Sequence, residues 1–224
     1  MFLKKRFPIF YKLILVLIVI NSCQKNHFEL KEGDILFQDL DKDSIDSAIE
    51  KVTKKNQQYN FTHVAIVIKD QNDLKILEAV TSGVQLTPID SFLNRNLKNG
   101  KPKVVVGNLK PKFKVFTKDA IKFGKTLIGL PYDSAYTIGD NSYYCSELLY
   151  EMFQHANPST TIFQLHPMSF KDLNTQKTLK FWVDYYKKLN KPIPEGQPGI
   201  NPNGMSTSPN ITLVYDYYTQ KVLN

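Results

Sequence analysis

The sequence predicts an α+β domain, with antiparallel strands in its first half and helices in its second. Three observations carry this. Apolar, β-branched runs broken by short polar turns follow one another from residue 33 to residue 106. The turn Asp70 to Asp73 between two of them is too short for anything but a hairpin. After Thr117 the apolar residues recur at helical spacing.

The N-terminal segment stands apart from this domain. Met1 to Arg6 is basic, and Leu13 to Ile20 is a short apolar run. A membrane-spanning helix needs ~20 apolar residues, so this run reads as an export signal rather than a span. Ile20-Asn21-Ser22-Cys23 resembles the lipobox of bacterial lipoproteins. The resemblance implies cleavage before Cys23 and lipidation of that cysteine, with an uncut signal anchor as the alternative. Stable anchoring needs more than one acyl chain. The expected organisation is a signal over 1–22, a polar tether over 23–32 and one domain over 33–224, exported and lipid-anchored to the cell-envelope membrane. Half of the net charge of +8 leaves with Lys4, Lys5, Arg6 and Lys12. The remaining lysines are interspersed with acids and form no long basic block, which argues against a nucleic-acid partner.

Gly33 to Phe37 turns into a first strand. Ile45, Ala48, Ile49 and Val52 mark one face of a short helix. Phe61 to Ile68 is a buried strand, Leu74 to Val80 its hairpin partner, and Val84 to Thr87 the start of a third. Pro88 to Leu93 reads as a short helix and Lys103 to Val106 as a further strand. Thr117 is expected to cap a helix reaching Leu127. The sequence Gly129-Leu130-Pro131-Tyr132-Asp133 breaks it, and a polar loop runs to residue 142. A second helix begins near Cys145, with Leu148, Leu149, Met152 and Phe153 on one face. Residues 170–189 are helical in part, 191–210 are an irregular arm rich in proline and glycine, and Ile211 to Tyr218 returns as a strand.

The chain has two cysteines, and assigning Cys23 to lipid leaves Cys145 unpaired. A lone thiol in an exported protein is either an inert buried side chain or a reactive group. At a helix start, unpaired N–H groups and the helix dipole favour a thiolate and can bind an oxyanion. A thiolate enzyme wants an imidazole beside it. Of the four histidines, His27 lies in the tether. His155 lies about 15 Å down the Cys145 helix. His166 sits before a proline in a loop and is the second choice. His63 heads a buried strand and is the first choice, with a backbone-bonded core histidine as the alternative. If positions 66 and 77 face each other across the hairpin, Glu78 comes near His63 and can hold its tautomer. A strand-end carboxylate facing water is the bland reading, and Asp34 is the reserve candidate.

Gly33-Asp34-Ile35-Leu36-Phe37, Thr62-His63-Val64-Ala65-Ile66-Val67, Leu77-Glu78-Ala79, Gly129-Leu130-Pro131-Tyr132-Asp133 and Tyr144-Cys145-Ser146-Glu147-Leu148 occur in that order. The set resembles the YiiX/YaeF-like family of permuted papain-fold amidases, relatives of the NlpC-type cell-wall peptidases, over roughly residues 31–175. The resemblance implies a circularly permuted papain-like fold, an antiparallel half-barrel sheet packed with helices. It implies Cys145 as nucleophile, His63 as base, Glu78 as the third polar residue and Tyr132 lining the site near the oxyanion. The NlpC-type Asp before the cysteine is replaced by Tyr144, so the usual stem-peptide specificity is not implied. No cofactor is called for. The single thiol and these carboxylates have no metal-ligand spacing. The expected function is thiol hydrolysis of an amide, in cell-wall peptides or another envelope substrate. A lipid amidase or acyltransferase and a non-catalytic binding lipoprotein are the competing readings.

Overall fold

The computed structural model describes residues 28–40, 44–53 and 58–223. Cys23, His27 and the expected signal lie outside the described residues. In chain order the elements are β1 (Ile35–Gln38), α1 (Ser44–Thr53), β2 (His63–Asp70), β3 (Asp73–Val80), β4 (Gly83–Pro88), α2 (Ile89–Leu93), β5 (Leu97–Lys98), β6 (Lys101–Pro102) and β7 (Val104–Leu109). Then follow α3 (Pro111–Lys114), α4 (Thr117–Thr126), α5 (Cys145–Ala156), β8 (His166–Pro167), α6 (Lys180–Leu189), β9 (Pro198–Gly199), α7 (Pro202–Ser206), β10 (Ile211–Asp216) and β11 (Lys221–Val222). Seven strands form one antiparallel sheet in the order β11-β10-β7-β1-β2-β3-β4. Among the described residues no helix is long and apolar enough to cross a membrane.

The continuous apolar run of β2 reflects burial on both faces, His63 to Ile68 being wholly enclosed. Val64, Ile66 and Ile68 pack on one side against α4 and α5, through Ala120, Ile121, Leu148, Leu149, Met152 and Phe153. Ala65 and Val67 face the other side with Leu36, Ile76, Phe92, Val106 and Tyr215. That second face is covered partly by the N-terminal segment. Phe28 stacks on Tyr215 at 4.5 Å between ring centroids, and Leu30 is buried. The folded unit therefore starts before the expected boundary at Gly33, because these two apolar side chains close a sheet face that has little helix cover. A third cluster joins α1 to α6 through Ala48, Val52, Trp182 and Tyr186.

Thr117 is not a cap. It is the first residue of α4, and the residue before it, Phe116, already has helical backbone angles, φ −86° and ψ −10°. The chain enters α4 directly from the α3 turn, with Phe116 N–H bonded to Phe113 O, so no extended residue is available for capping.

The strand pairing opens the site. Ile66 faces Leu77, as the hairpin spacing predicts, and this is where the β2–β3 ladder ends. Beyond it β2 stays paired to β1 as far as His63 opposite Gln38. β3 stays paired to β4 as far as Val80 opposite Gly83. The two strands therefore part company between Ile66 and His63, and the first turn of α5 meets the sheet there.

Candidate active site

Cys145 is the first residue of α5, and among the described residues it is a free thiol, buried. Tyr144 before it is extended, φ −90° and ψ 166°, so the helix starts abruptly. The first helical bond runs from Leu148 N–H to Tyr144 O at 3.0 Å. The N–H groups of Cys145, Ser146 and Glu147 thus have no acceptor within the helix. Both neighbours of Cys145 are tied down. The Tyr144 hydroxyl accepts from Ile200 N–H at 3.2 Å, and Ser146 Oγ donates to Ile200 O at 3.0 Å. Buried Glu147 accepts from Gly139 N–H at 3.0 Å and from Tyr144 N–H at 3.4 Å. Burial pushes its carboxyl up to about 8, against the opposing pull of those two bonds.

His63 is 5% exposed and hydrogen-bonds Cys145. Its Nε2 lies 2.7 Å from Glu78 Oε2. Since Nε2 is committed to the carboxylate, Nδ1 is the nitrogen left for the thiol. Glu78 is fully buried. Its oxygens take three further bonds: Thr87 Oγ1 to Oε1 at 2.5 Å, Arg95 Nη2 to Oε1 at 2.5 Å and Arg95 Nη1 to Oε2 at 2.8 Å. Burial raises the proton affinity of Glu78, but the Arg95 and His63 bonds and charges overcome this and hold it well below the usual carboxylate range. The ionised carboxylate accepts, so Nε2 carries the proton. For His63 burial works against the charged ring, yet the bonds and charges of Cys145 and Glu78 outweigh it and push the imidazole up to about 9. An imidazolium beside the thiol is thereby favoured at neutral pH.

Tyr132 sits on the loop after α4, half-buried, with its hydroxyl bonded to Tyr136. Burial first, and then the charge of Cys145, hold it well above the ordinary tyrosine range, so it remains a donor. The loop is fixed from two sides. Val84 N–H donates to Leu130 O and Gly129 N–H to Val84 O, both at 2.9 Å. This approach requires Gly83, whose φ is +108° and whose missing Cβ would lie 2.5 Å from Leu130 O. From the other side, Tyr185 and Tyr186 of α6 donate to Ser134 O at 2.8 Å and Ala135 O at 3.1 Å. Tyr136 has φ +56°, a left-handed backbone that a bulky residue rarely adopts. It is wedged edge-on against Tyr144 and Trp182.

The structure thus brings Cys145, His63, Glu78 and Tyr132 together. It leaves His155, already too far along its helix, and the reserve candidates His166 and Asp34 elsewhere. His155 stacks on Phe123 of α4 at 3.9 Å. His166 is exposed in the short β8–β9 pair. Asp34 accepts from Lys31 N–H and Asn108 Nδ2 just before β1, whereas the β1 residue opposite His63 is Gln38. The sequence motifs include neither Arg95 nor Thr87. Thr87 offers no signal. Arg95 does: the chain has only two arginines, Arg6 and Arg95, among its 29 basic residues. A chain that otherwise uses lysine places its other arginine where a planar fork is needed.

A profile of the permuted papain-like amidase family, YaeF/YiiX, C92, matches residues 29–215. The uncharacterized Escherichia coli K12 protein YiiX is 24% identical over 202 residues, covering 90% of this chain and 94% of its own. The crystal structure of YiiX from Escherichia coli O157:H7 aligns with a TM-score of 0.67 at 22% identity, over 85% of this chain and 99% of that one. That YiiX is described as a metalloprotein. In this chain, no cluster of three or more His, Cys, Asp or Glu suited to a metal occurs among the described residues. The trio itself does not fit a cation, because both Glu78 oxygens are already gripped by the Arg95 guanidinium.

Proposed function

The chain belongs to the permuted papain-like amidase family, YaeF/YiiX, C92, and on that premise we propose that it cleaves an amide through Cys145, His63 and Glu78. The observation that carries this reading is the hydrogen-bonded series from Cys145 through His63 to a buried, ionised Glu78. Cys145 Sγ attacks the carbonyl carbon and forms the C–S bond. The oxyanion is met by N–H groups of the first α5 turn and by the Tyr132 hydroxyl. His63 gives its Nδ1 proton to the amine nitrogen as the C–N bond breaks. Water then loses a proton to Nδ1, its oxygen bonds the thioester carbon, and the C–S bond breaks to restore the thiolate.

Cell-wall peptides are the first substrate class. A second class, acyl amides or esters of lipids, is favoured by one observation. The residue before the nucleophile is Tyr144, and its hydroxyl is used by Ile200, so that position supplies no carboxylate for a free amine. Cys23 is the proposed lipid anchor to the envelope membrane. The test is incubation of wild type and Cys145→Ala with purified peptidoglycan and, separately, with vesicles containing N-acyl lipids, with products read by mass spectrometry. Cleavage by wild type alone supports the reading and picks the class. If neither is cleaved and Cys145 alkylates no faster than free cysteine, a binding lipoprotein replaces the amidase.

A further inference from the structure

Glu78 meets two demands that pull apart. It must be ionised and immobile, to hold the Nε2–H tautomer of His63. It must not bind the imidazolium so strongly that His63 cannot act as a base when the thioester is opened. A buried carboxylate with a histidine as its single partner would do the first and fail the second, because a low-dielectric site strengthens the pair.

Arg95 resolves the conflict. It follows α2, its side chain is 19% exposed, and its two terminal nitrogens reach the two oxygens of Glu78 at 2.5 and 2.8 Å. Its guanidinium also lies over the Phe92 ring at 5.1 Å, and that ring is 5.9 Å from the His63 ring. Both contacts orient the fork. With Thr87 on Oε1 and His63 on Oε2, each carboxylate oxygen takes two donors. The carboxylate can neither rotate nor pick up a proton. A lysine there would supply charge without the paired geometry.

We propose that Arg95 is a positioning residue. By holding both oxygens of Glu78 it fixes and weakens that carboxylate as a base, and so sets how readily His63 gives up its proton before product release. The inference rests on the amidase reading given above. The groups facing His63 are Glu78 from β3, with Thr87 of β4 and Arg95 behind it, and Cys145 from α5. Phe92 of α2 packs on the ring and Gln38 of β1 lies opposite in register, both uncharged. Without Arg95, Glu78 loses two of its four donors and a nearby positive charge. Its hold on the imidazolium tightens, and the neutral ring needed to activate water becomes scarcer.

The test compares wild type, Arg95→Lys and Arg95→Met. The His63 titration is followed by NMR of 15N-histidine-labelled protein, its signal assigned with His63→Gln. Acyl transfer is followed with p-nitrophenyl acetate. Cys145 attacks the ester, p-nitrophenolate leaves, and water opens the acetyl thioester with its proton going to His63. In Arg95→Met the titration midpoint should rise by ~1 unit. A one-unit rise leaves about tenfold less neutral imidazole at pH 7. Steady release should therefore fall about tenfold while the initial burst persists, so that acyl-enzyme accumulates. Arg95→Lys should lie between, and added methylguanidinium should partly restore Arg95→Met. Circular dichroism melts check folding, and Arg95→Lys decides alone if Arg95→Met does not fold. An unchanged His63 titration in folded variants overturns the proposal, as does a burst that falls in step with the steady rate. If wild type releases p-nitrophenolate no faster than Cys145→Ala, the amidase reading fails, and the NMR titration still decides whether Arg95 governs His63.

Discussion

Replacing Glu78 by Gln exchanges one carboxylate oxygen for an amide NH2 and removes a charge that two cationic groups share. Seen only as a strand-end carboxylate, this side chain would cost the fold no more than about 1 kcal/mol, the scale of an exposed pair. The structure raises that figure. Glu78 is fully buried, and the amide would turn a donor toward Arg95, Thr87 or His63, all of which already donate. Removing one member of a buried pair costs ~3–5 kcal/mol. The Arg95 side chain is 19% exposed and can partly rehydrate, which points to the lower end, about 3 kcal/mol. For a domain of this size that is a fall of roughly 6–12 °C in Tm, within a typical margin of ~5–15 kcal/mol, so the variant should still fold. Turnover should fall ~10- to 10³-fold, because the amide cannot stabilise the imidazolium and no longer dictates its tautomer. The pH dependence has a definite sign. The folded Glu78 is held below its unfolded range, so its contribution is present above about pH 4.3 and is lost as pH falls further. The folded His63 is raised to about 9, so its contribution is complete below about pH 6.5 and is lost as pH rises toward 9. The gap in Tm between wild type and variant should therefore be widest between about pH 4.5 and 6.5. Thermal melts across that range, with turnover on any substrate that Cys145→Ala leaves intact, check this. A variant melting within a degree or two of wild type and fully active would refute the reasoning and remove Glu78 from the site.

His63→Ala should slow iodoacetamide alkylation of Cys145 at pH 7 by ~10-fold or more and leave a simple thiol titration; a rate–pH curve identical to wild type argues against the pair. Tyr132→Phe keeps the ring but loses the donor, and should lower kcat by up to ~10² with little change in KM; an unaltered kcat takes Tyr132 off the oxyanion. Cys23→Ser should abolish fatty-acid labelling and free the protein from membranes, whereas an unlabelled but membrane-retained wild type identifies an uncut signal anchor.

The local rules that made parts of the site legible are short-ranged. A β-branched run and a four-residue turn set the β2–β3 register, and with it the nearness of Glu78 to His63. The polar loop followed by Leu148, Leu149, Met152 and Phe153 located the helix start at Cys145. The YiiX/YaeF-like motifs supplied the permuted fold, which periodicity alone does not yield. What could not be read was set by tertiary contact. Arg95 lies in a polar stretch after a five-residue helix, and nothing local says that its side chain turns inward to Glu78. Phe28 and Leu30 looked like tether because their partners, Tyr215 and the second sheet face, come from distant parts of the chain. Thr117 has the chemistry of a cap, but the chain arrives there already helical.

The irregular segment after α6 acts as a strap across the two halves of the site. Ile200 holds the residues on either side of Cys145. Three positions on, buried Asn203 accepts from Phe61 N–H at 2.8 Å, two residues ahead of His63, and donates to Thr53 at the end of α1 at 3.3 Å. Ribosomal synthesis delivers the base first, the nucleophile next and the strap after both. The Asn203–Phe61 bond spans 142 positions, so it forms only after the whole stretch between them has been made. A nascent chain that already contains His63 and Cys145 lacks the piece that clamps their supporting segments together. The proline-rich stretch is thus a fastener for the segments that carry the base and the nucleophile rather than a spacer.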